Sequence, residues 1–190
     1  MKKILIASLL FAFIGCKSTQ KVVGTPTEKT PEKPMENQEP KPIAPEFLTG
    51  EKTMNDLQQA PCDVWFTPGY ENYNPDSETI IKLKNLPEDI TIKIVMGTWC
   101  EDSQNQVPRF YKILKQINFD LKKAILITVD RSKTTPEHLE ARLNITNVPT
   151  FIIYKNEKEI NRIVETPIET LEKDLLKILS GQPYKHAYEK

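Results

Sequence analysis

Gly97-Thr98-Trp99-Cys100-Glu101-Asp102-Ser103 is the stretch on which the reading of this chain turns. The residues before it, Ile90 to Met96, form a β-branched run and predict a buried strand. After it, Val107, Phe110, Tyr111, Leu114 and Ile117 recur at helical spacing. Residues 97–99 therefore turn the chain from a strand into a helix that opens at about Cys100. A cysteine in that place meets the positive end of the helix dipole and its free amide N–H groups, which favour thiolate over thiol. Ser103 lies three residues on, within reach for an O–H···S hydrogen bond. Glu101 and Asp102 act the other way, because neighbouring negative charge disfavours a second anion.

Working outward, Pro108 falls inside the helical pattern and is expected to kink it. Ala124 to Val129 reads as a second apolar strand. Thr135-Pro136 is expected to start a short helix containing Leu139 and Leu143. Val148-Pro149-Thr150 leads into a strand over Phe151 to Tyr154, and Lys155 to Lys158 turns the chain into an antiparallel partner, Glu159 to Val164. Thr166-Pro167-Ile168-Glu169 reads as a capping box with proline at the first helical position. The helix it opens buries Ile168, Leu171, Leu175 and Ile178 and ends near Gly181. Upstream, Asn74 and Pro75 read as N-cap and first helical residue of a helix to about Lys84, with Ile80, Ile81 and Leu83 facing inward. The first two strands, joined by a helix, are expected to run parallel with a right-handed crossover. The final hairpin adds an antiparallel edge, giving a mixed sheet with helices on both faces.

With these elements in place, a resemblance emerges. Trp99-Cys100-Glu101-Asp102-Ser103 resembles the W-C-x-x-C motif of thioredoxins. Pro108 matches the kinking proline of the helix that follows that motif. Val148-Pro149-Thr150, directly before a strand, matches the cis-proline loop that faces the active-site cysteine. The resemblance covers about Asn74 to Leu179 and implies an α/β, thioredoxin-like sandwich, with Cys100 as nucleophile, Pro149 cis and Trp99 beside the thiol. Val148, Pro149 and Thr150 would then hold an extended substrate strand through main-chain hydrogen bonds. Two departures stand out. Ser103 occupies the place of the second motif cysteine, which in the family resolves the mixed disulfide. Ile94 occupies the place of the buried acid that assists its proton transfer. The ordinary dithiol–disulfide cycle cannot run within this motif.

The N-terminus reads as an address. Met1-Lys2-Lys3 supplies positive charge, Ile4 to Ile14 is apolar apart from Ser8, and Gly15-Cys16 closes the run. This is a secretory signal, shorter than the roughly 20 residues a membrane-spanning helix needs. Phe13-Ile14-Gly15-Cys16 resembles a lipobox, which implies cleavage before Cys16 and lipid attachment to its sulfur. Lys17 to Glu46 holds six prolines, alternating lysine and glutamate, and few large apolar residues. Such a segment buries too little apolar surface to offset its ordering entropy and reads as an extended tether. The expected organisation is a signal over 1–15, lipidated Cys16 and tether over 16–46, an extension over 47–74 and the thioredoxin-like domain over 75–190.

The remaining cysteine, Cys62, is read either as a resolving thiol for Cys100 or as a packed residue of the extension. Trp65, Phe66, Tyr70 and Tyr73 are read either as core or as a peptide-binding surface. The 26 basic and 26 acidic residues balance, so nothing suggests a field that attracts nucleic acid. Two histidines and three cysteines make a histidine-rich metal centre or a disulfide scaffold an unsuitable reading. No metal and no organic cofactor are expected. The expected partners are protein or small-molecule thiols and disulfides, and a membrane through the N-terminal lipid. The expected function is a cell-envelope, monothiol-type thiol–disulfide oxidoreductase acting through Cys100. The alternative is a non-catalytic binding or scaffolding module of the same fold.

Overall fold

The computed structural model describes residues 47–85 and 89–189. The expected signal, Cys16 and the tether lie outside the described residues. Five strands, β1 (Gly50–Lys52), β2 (Ile90–Met96), β3 (Ala124–Thr128), β4 (Thr150–Lys155) and β5 (Lys158–Val164), form one sheet in the order β1-β3-β2-β4-β5. Among the described residues, five α-helices accompany them, α1 (Met54–Leu57), α2 (Asp63–Glu71), α3 (Ser77–Leu83), α4 (Glu101–Gln116) and α5 (Leu171–Leu179), with a 3-10 turn over Leu121–Lys123. β2 and β3 are parallel and joined through α4, whereas β4 lies antiparallel to both β2 and β5. This is the expected α/β, thioredoxin-like architecture, a mixed sheet with flanking helices.

Side-chain alternation along β2 divides the interior. Ile92, Ile94 and Met96 join a cluster with Val107, Phe110, Tyr111 and Leu114 of α4 and with Leu171 and Leu175 of α5. Val95 joins a second cluster with Ile127, Val129, Val148 and Ile152. The stripe expected on α4 is buried, save for Ile117, which is half-buried. Phe110 stacks on Phe151 with ring centroids 4.2 Å apart, fastening α4 to the sheet. Each large side chain buried in this way stabilises the fold by about 1.5–3 kcal/mol.

The N-terminal part supplies elements without a clear sequence period. Thr53 and Asp56 form a reciprocal capping box on α1. α2 packs on α4 where Gly69 meets Pro108; a Cβ at Gly69 would stand 3.1 Å from the Pro108 ring. Phe66 is buried, and Trp65, Tyr70 and Tyr73 pack against the same cluster. Phe66 is therefore core, and the other three are half-buried against it.

Several sequence expectations are corrected. The helix expected from Asn74 begins at Ser77, with Asp76 as its cap and Thr79 N–H donating to the Asp76 carboxylate at 2.9 Å. Glu172 holds the preceding turn, accepting from Asp76 N–H and from the Tyr73 hydroxyl. Ile81 is exposed. The helix expected after Thr135 is a series of turns, interrupted by positive φ at His138 and Arg142. The last helix begins at Leu171 with Thr170 as cap. Asp174 accepts the Ile168 and Glu169 N–H groups, so those residues form the approach to the helix, and Ile168 is exposed.

Candidate functional site

Cys100 is the N-cap of α4, reached from β2 through Gly97, Thr98 and Trp99. Its N–H donates to Gly97 O at 3.0 Å, closing the turn, and its C=O accepts from Gln104 N–H at 3.0 Å. The thiol is partly exposed and donates to the Val148 carbonyl at 3.3 Å. The Val148–Pro149 peptide bond is cis, as the resemblance implied. The structure thus brings Cys100 together with the loop before β4.

That loop packs closely behind the thiol. Val148, Pro149 and Thr150 are all buried. Thr150 is aligned with Val95 of β2 on one side and Val164 of β5 on the other, so its backbone belongs to the sheet. Pro149 C=O accepts from Glu165 N–H at 2.7 Å.

Trp99 packs against the same cluster as Cys100. Its indole N–H donates to Val129 O at 2.9 Å, and the Arg131 guanidinium lies 5.4 Å from the ring centroid. The ring lies against Gly97, where an added Cβ would come within 2.5 Å of it. Only a residue without a side chain admits this approach.

Ser103 is fully buried, and its hydroxyl oxygen accepts the Gly97 N–H at 3.3 Å. The expected O–H···S bond to Cys100 is absent from this arrangement. A buried amide needs an acceptor, and the Gly97 amide takes the serine oxygen. Ile94, in the place of the family's buried acid, is fully enclosed between Leu126 and Phe151.

Cys62 is free and buried, and so is not positioned at the surface where Cys100 opens. It belongs to the cluster under α4, whereas Cys100 packs against the cluster around Val95. Burial, with the nearby Asp63 charge adding to it, pushes the Cys62 thiol up from its ordinary value. That makes it a poor attacking thiolate at neutral pH. Among the described residues, no three His, Cys, Asp or Glu side chains gather where they could hold a metal ion.

Sequence reasoning missed two residues of this site. Gln104 folds its side chain back to donate to Thr98 O at 2.7 Å, and the buried Thr98 accepts the Leu48 N–H at 3.0 Å. Gln104 gave one signal, its place one turn after Cys100. Thr98 gave none, because its partner lies fifty residues away.

No protein-family model and no curated protein matches the chain. Solved structures do. A protein of unknown function from Pseudomonas aeruginosa is 14% identical, covering 69% of this chain and 93% of its own, with a TM-score of 0.53. An HIV epitope scaffold is 14% identical, covering 70% and 94%, with a TM-score of 0.54. A thioredoxin from Fasciola hepatica is 20% identical over 56% of this chain and 90% of its own, with a TM-score of 0.36. For the first two, at these identities, the likeness is one of fold.

Proposed function

We propose that the chain is an exported, membrane-anchored lipoprotein whose thioredoxin-like domain acts as a monothiol thiol–disulfide oxidoreductase. The observation that supports this reading is the placement of one partly exposed thiol, Cys100, at the opening of α4 and 3.3 Å from Val148 O. Residues 1–15 are the export signal, Cys16 carries the lipid, and 16–46 tether an extension (47–74) and the working domain (75–190).

The Cys100 thiolate attacks one sulfur of a protein or small-molecule disulfide. A bond forms between Cys100 Sγ and that sulfur, the old S–S bond breaks, and the other sulfur leaves as thiolate. With the thiol proton gone, Val148 O loses its donor and can accept an N–H from the bound strand. Release needs a second thiolate. Ser103 cannot supply it, since a hydroxyl forms no stable S–S bond, and Cys62 is buried. An external thiol therefore attacks the mixed disulfide, leaving as a disulfide with the substrate sulfur and returning Cys100 as thiolate. Trp99 walls one side of the site.

The test is trapping. A Cys62→Ser protein is incubated with a protein disulfide without added thiol, quenched in acid and mapped by mass spectrometry. Mixed disulfides at Cys100 should accumulate, and turnover should begin only when thiol is added. Absence of any Cys100 adduct would overturn the oxidoreductase reading and leave a binding module of the same fold.

A further inference from the structure

We propose that Thr98 is a positioning residue for Cys100, and that the segment entering β1 acts on the thiol through the Thr98 hydroxyl. The inference rests on Cys100 being the working thiol.

Thr98 is held from two directions. Its Oγ1 accepts the Leu48 N–H at 3.0 Å, and its carbonyl accepts Gln104 Nε2 at 2.7 Å. Gln104 in turn donates its N–H to Cys100 O at 3.0 Å, and Cys100 donates to Gly97 O at 3.0 Å. These bonds close a ring through the turn that carries the thiol. Leu48 is itself fixed, because Gly50 two residues on opens β1 and its carbonyl accepts Thr128 Oγ1 at 3.0 Å. The Leu48 bond thus ties the Cys100 turn to the sheet edge by a route outside the stretch that resembles thioredoxins. A cavity of about 230 Å³ lies beside it, lined by Phe47, Leu48, Cys62, Trp65, Thr98 and Gln104 among others. The turn therefore has room to shift if the Leu48 bond is lost.

The charged groups near the turn are Glu101 and Asp102 in the first turn of α4 and Arg131 over the Trp99 ring. The Thr98 hydroxyl oxygen takes the Leu48 N–H. A turn released from Leu48 would carry Cys100 out of its present place at the N-cap of α4, where its thiol donates to Val148 O. A cysteine at a helix start is favoured as thiolate, so release slows the thiol.

The test uses the full chain with Thr98→Val, which keeps the shape and removes the hydroxyl, and Thr98→Ser, which keeps the hydroxyl. Iodoacetamide labelling is followed by mass spectrometry of the Cys100 and Cys62 peptides separately across pH. Thr98→Val should label Cys100 about three- to tenfold more slowly at neutral pH, the scale of one net hydrogen bond. Its pH profile should move upward, Thr98→Ser should match the wild type, and Cys62 should stay protected in both. Wild-type rates in Thr98→Val, equal slowing in Thr98→Ser, or labelling of Cys62 alongside the slowing would each overturn the inference. A wild-type Cys100 that labels normally yet forms no mixed disulfide would instead count against the oxidoreductase reading alone.

Discussion

The Ser103 hydroxyl oxygen sits 3.3 Å from the Gly97 amide nitrogen and accepts its hydrogen, so the serine in the motif supports the backbone of the turn. Its work is structural in the resting site. Ser103→Ala should leave the Gly97 amide without an acceptor and cost about 1–3 kcal/mol of stability. Cys100 alkylation should slow by no more than about the threefold to tenfold expected when another bond to the same turn is lost, because no bond from serine to sulfur goes with it. Urea unfolding and labelling kinetics on the same variant check both halves.

Ser103→Cys should do the opposite for chemistry. It places a second thiol one helical turn from Cys100, in the position that in thioredoxins resolves the mixed disulfide. Disulfide reduction coupled to a dithiol reductant should rise about tenfold or more, since release becomes intramolecular. Mass spectrometry should find an intramotif disulfide after oxidation. Failure of that disulfide to form would mean the turn cannot bring the two sulfurs together.

Gly97→Ala should displace the Trp99 ring. The added methyl would meet the indole at 2.5 Å, inside any tolerable contact. The indole bond to Val129 O should break, with a stability loss of about 1–3 kcal/mol. In a Trp65→Phe background, a red-shifted Trp99 fluorescence maximum would report the move.

Acid should weaken the junction between α3 and α5. Burial raises the Glu172 carboxyl, but bonds from the Tyr73 hydroxyl and Asp76 N–H outweigh it and hold the group below its ordinary value. A depressed carboxyl contributes stability that is present above the unfolded value, about 4.3, and is lost as pH falls through the folded value. Glu172→Gln should be less stable than wild type at pH 7, and the gap should narrow towards pH 3. Denaturant midpoints at the two pH values give the answer, and a constant gap would contradict it.

Cys16→Ala should prevent lipid attachment. The wild-type protein should begin at Cys16 and pellet with membranes, whereas the variant should appear in the soluble fraction. An intact, unlipidated N-terminus in the wild-type mass spectrum would remove the anchor from the proposed function.

The parts of the fold carried by long periodic runs were legible in the sequence. β2, α4 and the β4–β5 hairpin each had a repeating apolar pattern, and their order gave the topology. The misplaced boundaries share one cause. Asp76, Thr170 and the turns after Thr135 are set by side chains distant or unpatterned in sequence, such as Glu172 and Asp174, which reach back to cap a neighbouring segment. β1, α1 and α2 were unreadable because elements of three to nine residues, the longest interrupted by Pro68, carry too little period to register. At the site, Cys100 and the loop at Pro149 were visible from motif and position. The partner of Ser103 is the Gly97 N–H that lies nearest in space, whereas sequence spacing pointed to Cys100.

β1 has a consequence beyond its length of three residues. β3, Ala124-Ile125-Leu126-Ile127-Thr128, is short, apolar and uncharged. Without Gly50–Lys52 paired along it, that strand would form the outer border of the sheet. An unpaired apolar border is a template for joining another copy strand to strand. β1 replaces it with a brief border carrying Glu51 and Lys52, and β5 presents Lys158, Glu159 and Arg162 on the far side. Both rims of the sheet are therefore guarded by charge, so a chain shortened past Lys52 should tend towards self-association even where its core still folds.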